Sequence, residues 1–232
     1  MTLEKILQSQ GFGSRKQCRH LIWSEAVSVG GNVVTDIDAD YACEGLVFSV
    51  DGRECIFRRQ LYLALNKPGD YECSRKPSHH PGILTLLPAE YVARNTQPVG
   101  RLDHDTTGLL LLSDDGAFIH AQSSPKRHVP KTYVASTFEP VTPALLQQLT
   151  EGVKLVDETH PIAAAVRQLA TNELELTIDQ GKYHQVKRML AAAGNHCVAL
   201  RRSAIGRLTL ESLDLAPGQW RHLSPEQIAL LA

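Results

Sequence analysis

The chain has 232 residues, 43% hydrophobic and 21% charged, with a net charge of −1. That suits one large domain, or a small module plus a medium one, of ordinary soluble composition. No apolar run is long enough to span a membrane. The opening Met1-Thr2-Leu3-Glu4-Lys5 lacks a signal-peptide layout, and the five cysteines include no Cys-x-x-Cys, so a disulfide framework or zinc knuckle is not expected and the cytoplasm is.

Leu3, Ile6 and Leu7 have helical spacing, and Gly11-Phe12-Gly13 closes that helix. Ser14 reads as the N-cap of a second helix, with Gln17 at the capping-box position and Cys18, Leu21 and Ile22 on its buried face. Val27-Ser28-Val29, Gly30-Gly31 and Val33-Val34 read as a tight hairpin, and Asp51-Gly52 marks another turn. The junction is placed at Arg58-Arg59-Gln60, dividing a small module, 1–58, from a larger domain, 59–232. Leu61 to Leu65 predicts a strand ending at Asn66-Lys67-Pro68-Gly69. Ser74 to Pro81 reads as a loop, and Leu109 to Leu112 as a buried strand. Lys131 to Phe138 alternates as a strand, and Thr142 to Leu149 is helical. Leu174 to Ile178 is a period-two strand, and His184 to Ala193 is a helix stopped by Gly194-Asn195. Short strands interleaved with few helices predict an α+β fold with a mixed, largely antiparallel sheet.

Charge is segregated. Residues 117–138 hold Lys126, Arg127 and Lys131 and no acid. Residues 182–207 hold Lys182, Lys187, Arg188, Arg201, Arg202 and Arg207, again with no acid. Such stretches attract a polyanion even when the net charge is near zero, although separate charge runs also make ordinary solvated faces. The His79-His80 pair has no carboxylate or further histidine at ligand spacing, so no metal site is expected.

Three segments carry chemistry. Gly100-Arg101-Leu102-Asp103-His104-Asp105-Thr106-Thr107-Gly108 packs polar side chains between glycines just before an apolar strand. It reads either as a reactive loop at a strand end or as a turn whose carboxylates bond backbone N–H groups. Lys131-Thr132-Tyr133 sets an aromatic ring beside cations, an arrangement that stacks a nucleobase or simply half-buries a tyrosine. Gly181-Lys182-Tyr183-His184-Gln185-Val186-Lys187-Arg188-Met189 joins a glycine turn to a helix whose core stripe is Val186, Met189 and Leu190. Its other faces lack the acids that i to i+4 salt bridges would use.

Together these segments resemble the three motifs of the ribosomal-RNA pseudouridine synthases. The form Tyr-His-Gln-Val-Lys-Arg-Met is closer to the branch acting on the small-subunit RNA, and Leu65-Asn66-Lys67-Pro68 and Leu200-Arg201-Arg202 also fit. Residues 1–58 are similar to an S4 RNA-binding domain, with a Ser-Arg helix and a Val-x-Val-Gly-Gly hairpin, though Leu3-Glu4-Lys5 replaces the usual Arg-Leu-Asp and Glu25 sits where a basic residue or glycine is usual.

The resemblance implies isomerisation of one uridine to pseudouridine in 16S rRNA, in a ribosomal small-subunit precursor, by a monomer needing no cofactor. A synthase for 23S rRNA and a non-catalytic RNA-binding assembly factor are the alternatives. It assigns the reactive carboxylate to Asp103 rather than Asp105, with His104 uninvolved. It assigns base stacking to Tyr133, a cation keeping Asp103 ionised to Lys187, and the uracil pocket wall to Leu200. Arg101 would fill the space left by the flipped base or hold the backbone. Lys126, Arg127, Lys182, Arg188, Arg201 and Arg202 would contact phosphates, and Arg15, Lys16 and Arg19 would form the RNA contact of the small module.

Overall fold

A computed structural model describes residues 1–231, and they form two compact units. The first comprises Met1–Leu61 together with Leu87–Gln97. Helices α1 (Leu3–Ser9) and α2 (Arg15–Trp23) lead into strands β1 (Val27–Val29), β2 (Asn32–Val33), β3 (Val47–Val50) and β4 (Arg53–Ile56). The strands pair antiparallel in the order β2-β1-β3-β4. Ser14 and Gln17 make the full capping box at the start of α2. Leu3, Ile6, Leu7, Cys18, Ile22, Val27, Phe48 and Val50 form the core, each almost wholly buried.

The segment 87–97 returns to this unit and carries helix α3 (Ala89–Ala93). Two features hold it. Arg94 Nη1 donates to Gln10 Oε1 at 3.1 Å, and Arg53 pairs with Glu90. Gly11 has φ +89°, and a Cβ there would lie 2.1 Å from the Glu90 carbonyl oxygen, so only glycine permits the approach.

The second unit comprises Tyr62–Leu86 and the chain from Pro98 onward. Its strands in chain order are β5 (Tyr62–Lys67), β6 (Gln97–Pro98, which begins in the first unit), β7 (Thr107–Ser113), β8 (Lys131–Thr137), β9 (Ala165–Ala170), β10 (Glu173–Ile178), β11 (Cys197–Ile205), β12 (Leu208–Thr209) and β13 (Trp220–His222). The sheet runs β13-β5-β7-β11-β8-β10-β9, with β12 paired to β11. Strand β11 is parallel to β7, and every other pairing on that path is antiparallel. The predicted mixed, largely antiparallel sheet of an α+β fold is therefore what the chain forms.

Burial follows the sequence patterns. Leu109 to Leu112 are all fully buried, as a continuous apolar run in a covered strand should be. On β10, Leu174, Leu176 and Ile178 are buried and alternate with half-exposed residues. The helices include α4 (Gly116–Ser123), α5 (Pro143–Glu151) and α6 (Gln185–Ala192). Val186, Met189 and Leu190 do form the buried stripe of α6. Helix α4 was not legible in advance. Its apolar residues make no clean stripe, and its start rests on Asp115, whose side chain accepts from Ala117 N at 2.9 Å. No helix of the described residues is long and apolar enough to cross a membrane.

Candidate active site

The parallel β7–β11 step brings the three motif segments together. Thr107 and Gly108 at the start of β7 lie beside Arg201 and Arg202 of β11, and Tyr133 of β8 lies across from Arg202. Gly108 is needed for this contact. Its φ is +101°, and a Cβ would meet the Arg202 carbonyl oxygen at 2.3 Å. The loop 100–106 leading into β7 is thereby set over a face carrying Tyr133, Leu200 and Arg202.

That loop is pinned from below. Lys67, fully buried at the end of β5, donates to the carbonyl oxygens of Pro68, His104 and Thr106 at 3.0, 2.9 and 2.8 Å. Burial pulls its amino pKa below the usual lysine value, opposed by nearby Cys73, Asp105, Asp103 and Asp70. Thr106 N closes the turn onto the Asp103 carbonyl at 3.1 Å.

Asp103 lines a cavity of about 110 Å³ with Arg101, Tyr133, Lys131, Lys182, Gln185, Leu200 and Arg202. Tyr133 and Leu200 are each 7% exposed, so both turn inward. A second, more open cavity of about 590 Å³ shares Arg101, Asp103, Lys182 and His184 and extends to Glu72, His79 and His80.

Two basic side chains face the Asp103 carboxylate. His184 Nε2 is 3.3 Å from Oδ1, and Lys187 Nζ is 3.4 Å from Oδ2. Lys187 makes its short bonds to Asp105, at 2.7 and 2.8 Å. Lys187 thus bridges two carboxylates and is closer to Asp105. Burial pushes the Asp105 carboxyl up, but Lys187 and His104 outweigh it and leave the carboxyl below its ordinary value. Burial likewise pulls Lys187 down, and the two aspartates outweigh it and leave Lys187 above its ordinary value. Lys187 is therefore a firmly charged group beside Asp103 at neutral pH.

Several expected phosphate contacts are placed differently. Arg202 is 2% exposed, and its Nε donates to the Leu109 carbonyl at 2.7 Å, so it is no surface phosphate contact. Strand alternation is the reason: Leu200 and Arg202 face the cavity, whereas Arg201 lines a different cavity with Thr132 and Val134. The acid-free stretches are not acid-free in space. Arg188 pairs with Asp157 and Lys182 with Glu158, both from the loop after α5. Lys126 and Arg127 are exposed on a single turn beside Pro125 of the cavity wall. In the first unit, Arg15 and Arg19 both pair with Glu4 at 2.5 Å, and Lys16 is exposed beside them.

Other residues of this site escaped the sequence reading. His184 lies within the Gly181–Met189 segment, where its φ of +48° at the helix start accompanies a ring placed 3.3 Å from Asp103. One group among the described residues could hold a metal ion: Asp70, His80 and His104, whose ligand atoms lie within 4.8 Å of one another. The His80 and His104 rings stack at 4.5 Å. Chain spacing hid this group, because its members come from three separate turns.

Residues 61–192 match the family model described as RNA pseudouridylate synthase. The chain is 40% identical over 231 residues to the ribosomal small subunit pseudouridine synthase A of Escherichia coli strain K12, covering 99% of each. It is 35% identical over 236 residues to an uncharacterised RNA pseudouridine synthase of Bacillus subtilis strain 168, covering 100% of this chain and 98% of that one. Among solved structures, a pseudouridylate synthase superposes with a TM-score of 0.70 at 33% identity, with 100% of both chains covered.

Proposed function

We propose a function from the premise that the chain belongs to the RNA pseudouridylate synthase family. It is an isomerase of uridine in RNA. Our reading of its substrate is one uridine of 16S rRNA, in a precursor of the small ribosomal subunit, handled by a monomer in the cytoplasm. Near-full-length similarity to a ribosomal small subunit pseudouridine synthase supports this choice.

The reaction breaks the C1′–N1 bond, turns the base, and joins C5 to C1′. N1 gains the proton that C5 loses, so the product has the atoms and electrons of the substrate. Neither oxidant nor phosphoryl donor enters the balance. In our reading Asp103 acts on the sugar or base as a carboxylate, whether by adding to C1′, adding to the ring, or removing a sugar proton. One observation carries this assignment: Asp103 lines an inward-facing cavity, with Lys187 Nζ 3.4 Å and His184 Nε2 3.3 Å from its carboxylate oxygens. A carboxylate under a base loses hydration and drifts toward neutrality, and the adjacent Lys187 cation opposes that drift.

Tyr133 is read as the ring that stacks on the flipped uracil, with Leu200 as the pocket wall. Arg101, exposed at the rim of both cavities, fills the vacated space or holds the backbone. Lys182, Arg188, Lys126 and Arg127 offer charge to phosphates. The ion pairs of Lys182 and Arg188 are partly exposed, and such pairs exchange for phosphate at a cost of about 1 kcal/mol or less. Residues 1–58 are read as an S4-like RNA-binding domain presenting Arg15, Lys16 and Arg19, and the larger domain expected over 59–232 as the catalytic domain, less the segment 87–97 that returns to the first unit.

The test is to map pseudouridines by carbodiimide-blocked primer extension on ribosomal RNA from a strain lacking the gene. Loss of a single 16S site is expected. Loss in 23S rRNA instead overturns the substrate assignment, and no loss at all overturns catalysis.

A further inference from the structure

The cavity beside Asp103 concentrates unmet hydrogen-bonding capacity. Among the described residues, five buried side-chain atoms have no partner: Thr106 Oγ1, Gln122 Oε1, Gln180 Oε1, Gln185 Nε2 and Arg202 Nη2. Four of those residues, all but Gln180, line the one cavity that holds Asp103 and Tyr133. Buried polar atoms are rarely left unpaired in native proteins, so their clustering in residues around one cavity points to a ligand that completes them.

The chemistry of the unpaired atoms is informative. The Gln185 amide is oriented, because its Oε1 accepts from Lys182 N at 2.9 Å, which leaves Nε2 as a free donor. Arg202 is anchored through Nε to the Leu109 carbonyl, leaving Nη2 as a free donor. Gln122 offers a free carbonyl acceptor. Thr106 carries a hydroxyl that donates or accepts, so it adds no discrimination. The discriminating set is two donors and one acceptor. A uracil ring presents the complement on one edge: carbonyl O2, N3–H and carbonyl O4. Cytosine does not, because its N3 is an acceptor and its exocyclic N4 a donor.

We propose that Gln122, Gln185 and Arg202 are the base-reading residues of this enzyme: the Gln122 carbonyl accepts from uracil N3–H, and Gln185 and Arg202 each donate to one carbonyl oxygen. The inference rests on the uridine-isomerase reading given above. Arg202 has a second consequence. It is always protonated, and among the described residues it makes no ion pair. When the C1′–N1 bond breaks, negative charge spreads onto the uracil carbonyl oxygens, and a buried guanidinium donor stabilises that charge more than the neutral ground state. Gln122 and Gln185 therefore select the base, while Arg202 both selects it and assists its departure.

The experiment uses the full chain and a short RNA spanning the mapped 16S uridine. That position carries uridine or 3-methyluridine, tritiated at C5, and tritium release reports the loss of the C5 proton. Wild type is expected to release tritium from uridine and to lose about 10²-fold or more in kcat/KM on 3-methyluridine, because the Gln122 carbonyl then meets a methyl group. Gln122→Met is expected to be slower on uridine and to discriminate the two RNAs less than about 5-fold, which is the coupling a direct contact requires. Gln185→Glu keeps the acceptor that holds Lys182 N and removes the donor. Its kcat/KM is expected to fall about 10²–10³-fold. RNA affinity should change less than about threefold, since phosphate contacts dominate it.

The inference is overturned if wild type converts 3-methyluridine as fast as uridine. It is also overturned if Gln122→Met and Gln185→Glu keep wild-type kcat/KM, or if the variants lose activity only through a lower melting temperature. Failure of wild type to release tritium from the uridine RNA overturns the function proposed above instead.

Discussion

Two carboxylates of this chain each face two basic side chains, and they are held in different ways. In the first unit, Glu4 is 5% exposed and bonds Arg15 and Arg19 at 2.5 Å, one oxygen to each. In the second unit, Asp103 has His184 and Lys187 at 3.3 and 3.4 Å, and Lys187 spends its short bonds on Asp105. Glu4 is saturated, and it ties α1 to α2. Asp103 is oriented but not saturated, and its side chain is 27% exposed and lines a cavity. A carboxylate that must react needs a free lone pair, and strong direct ion pairing would consume it. Placing the tighter bond on Asp105 keeps the cation close without tying up Asp103.

The sharpest way to break this comparison is Asp103→Asn. Loss of the charge is expected to lower kcat by about 10³-fold or more with an unchanged melting temperature, measured by tritium release and by thermal unfolding. Retained activity would refute the assignment of Asp103. Lys187→Met removes the bridging cation and is expected to cost about 10²-fold in kcat. Its RNA affinity should barely move, because one cation among many supplies a small share of phosphate attraction. Asp105→Asn sharpens the comparison further. If Asp105 serves to hold Lys187 at a distance, the variant loses about 10-fold or less, and Lys187 moves toward Asp103.

Glu4→Gln is expected to leave kcat untouched and to lower the thermal stability of the first unit, because two arginines lose a shared partner. A fall in kcat with unaltered stability would overturn the contrast. The smallest effect concerns a third way of holding a carboxylate. Glu72 accepts the backbone N–H groups of His79, His80 and Ser78, which pull its pKa down to about 2. A folded pKa below the unfolded one contributes stability that is present above the ordinary glutamate value and lost as pH falls toward 2. The protection factors of the His79 and His80 amides, taken against their intrinsic exchange rates at each pH, should fall through that window, and Glu72→Gln should remove that fall.

Much of the fold could be read from local pattern. The capping box at Ser14, the buried run Leu109–Leu112, the alternation of β10 and the stripe of α6 are properties of neighbouring residues, and each formed as expected. Elements with weaker local signals were not read: α3, α4 and β9, whose residues are mostly exposed or half-exposed. The return of 87–97 to the first unit was also hidden. It depends on Gly11 admitting the Glu90 backbone and on Gln10 meeting Arg94, pairings some 80 residues apart in the chain.

The site divides in the same way. The sequence by itself determined which segment is proposed to carry the reactive carboxylate, because Gly-Arg-Leu-Asp-x-Asp-Thr-Thr-Gly-Leu is a contiguous string that a resemblance can match. It also determined the residue types gathered around that segment. The tertiary structure alone decided where those residues are placed. Strand alternation turned Arg202 into the cavity and Arg201 away from it. His184, with left-handed backbone at the helix start, came to place its ring 3.3 Å from Asp103. Asp157 and Glu158 came from a distant loop to meet Arg188 and Lys182. Local sequence encodes periodicity and turn chemistry. Which side chain meets which across a sheet depends on strand order and register, and those are settled only when the whole unit packs.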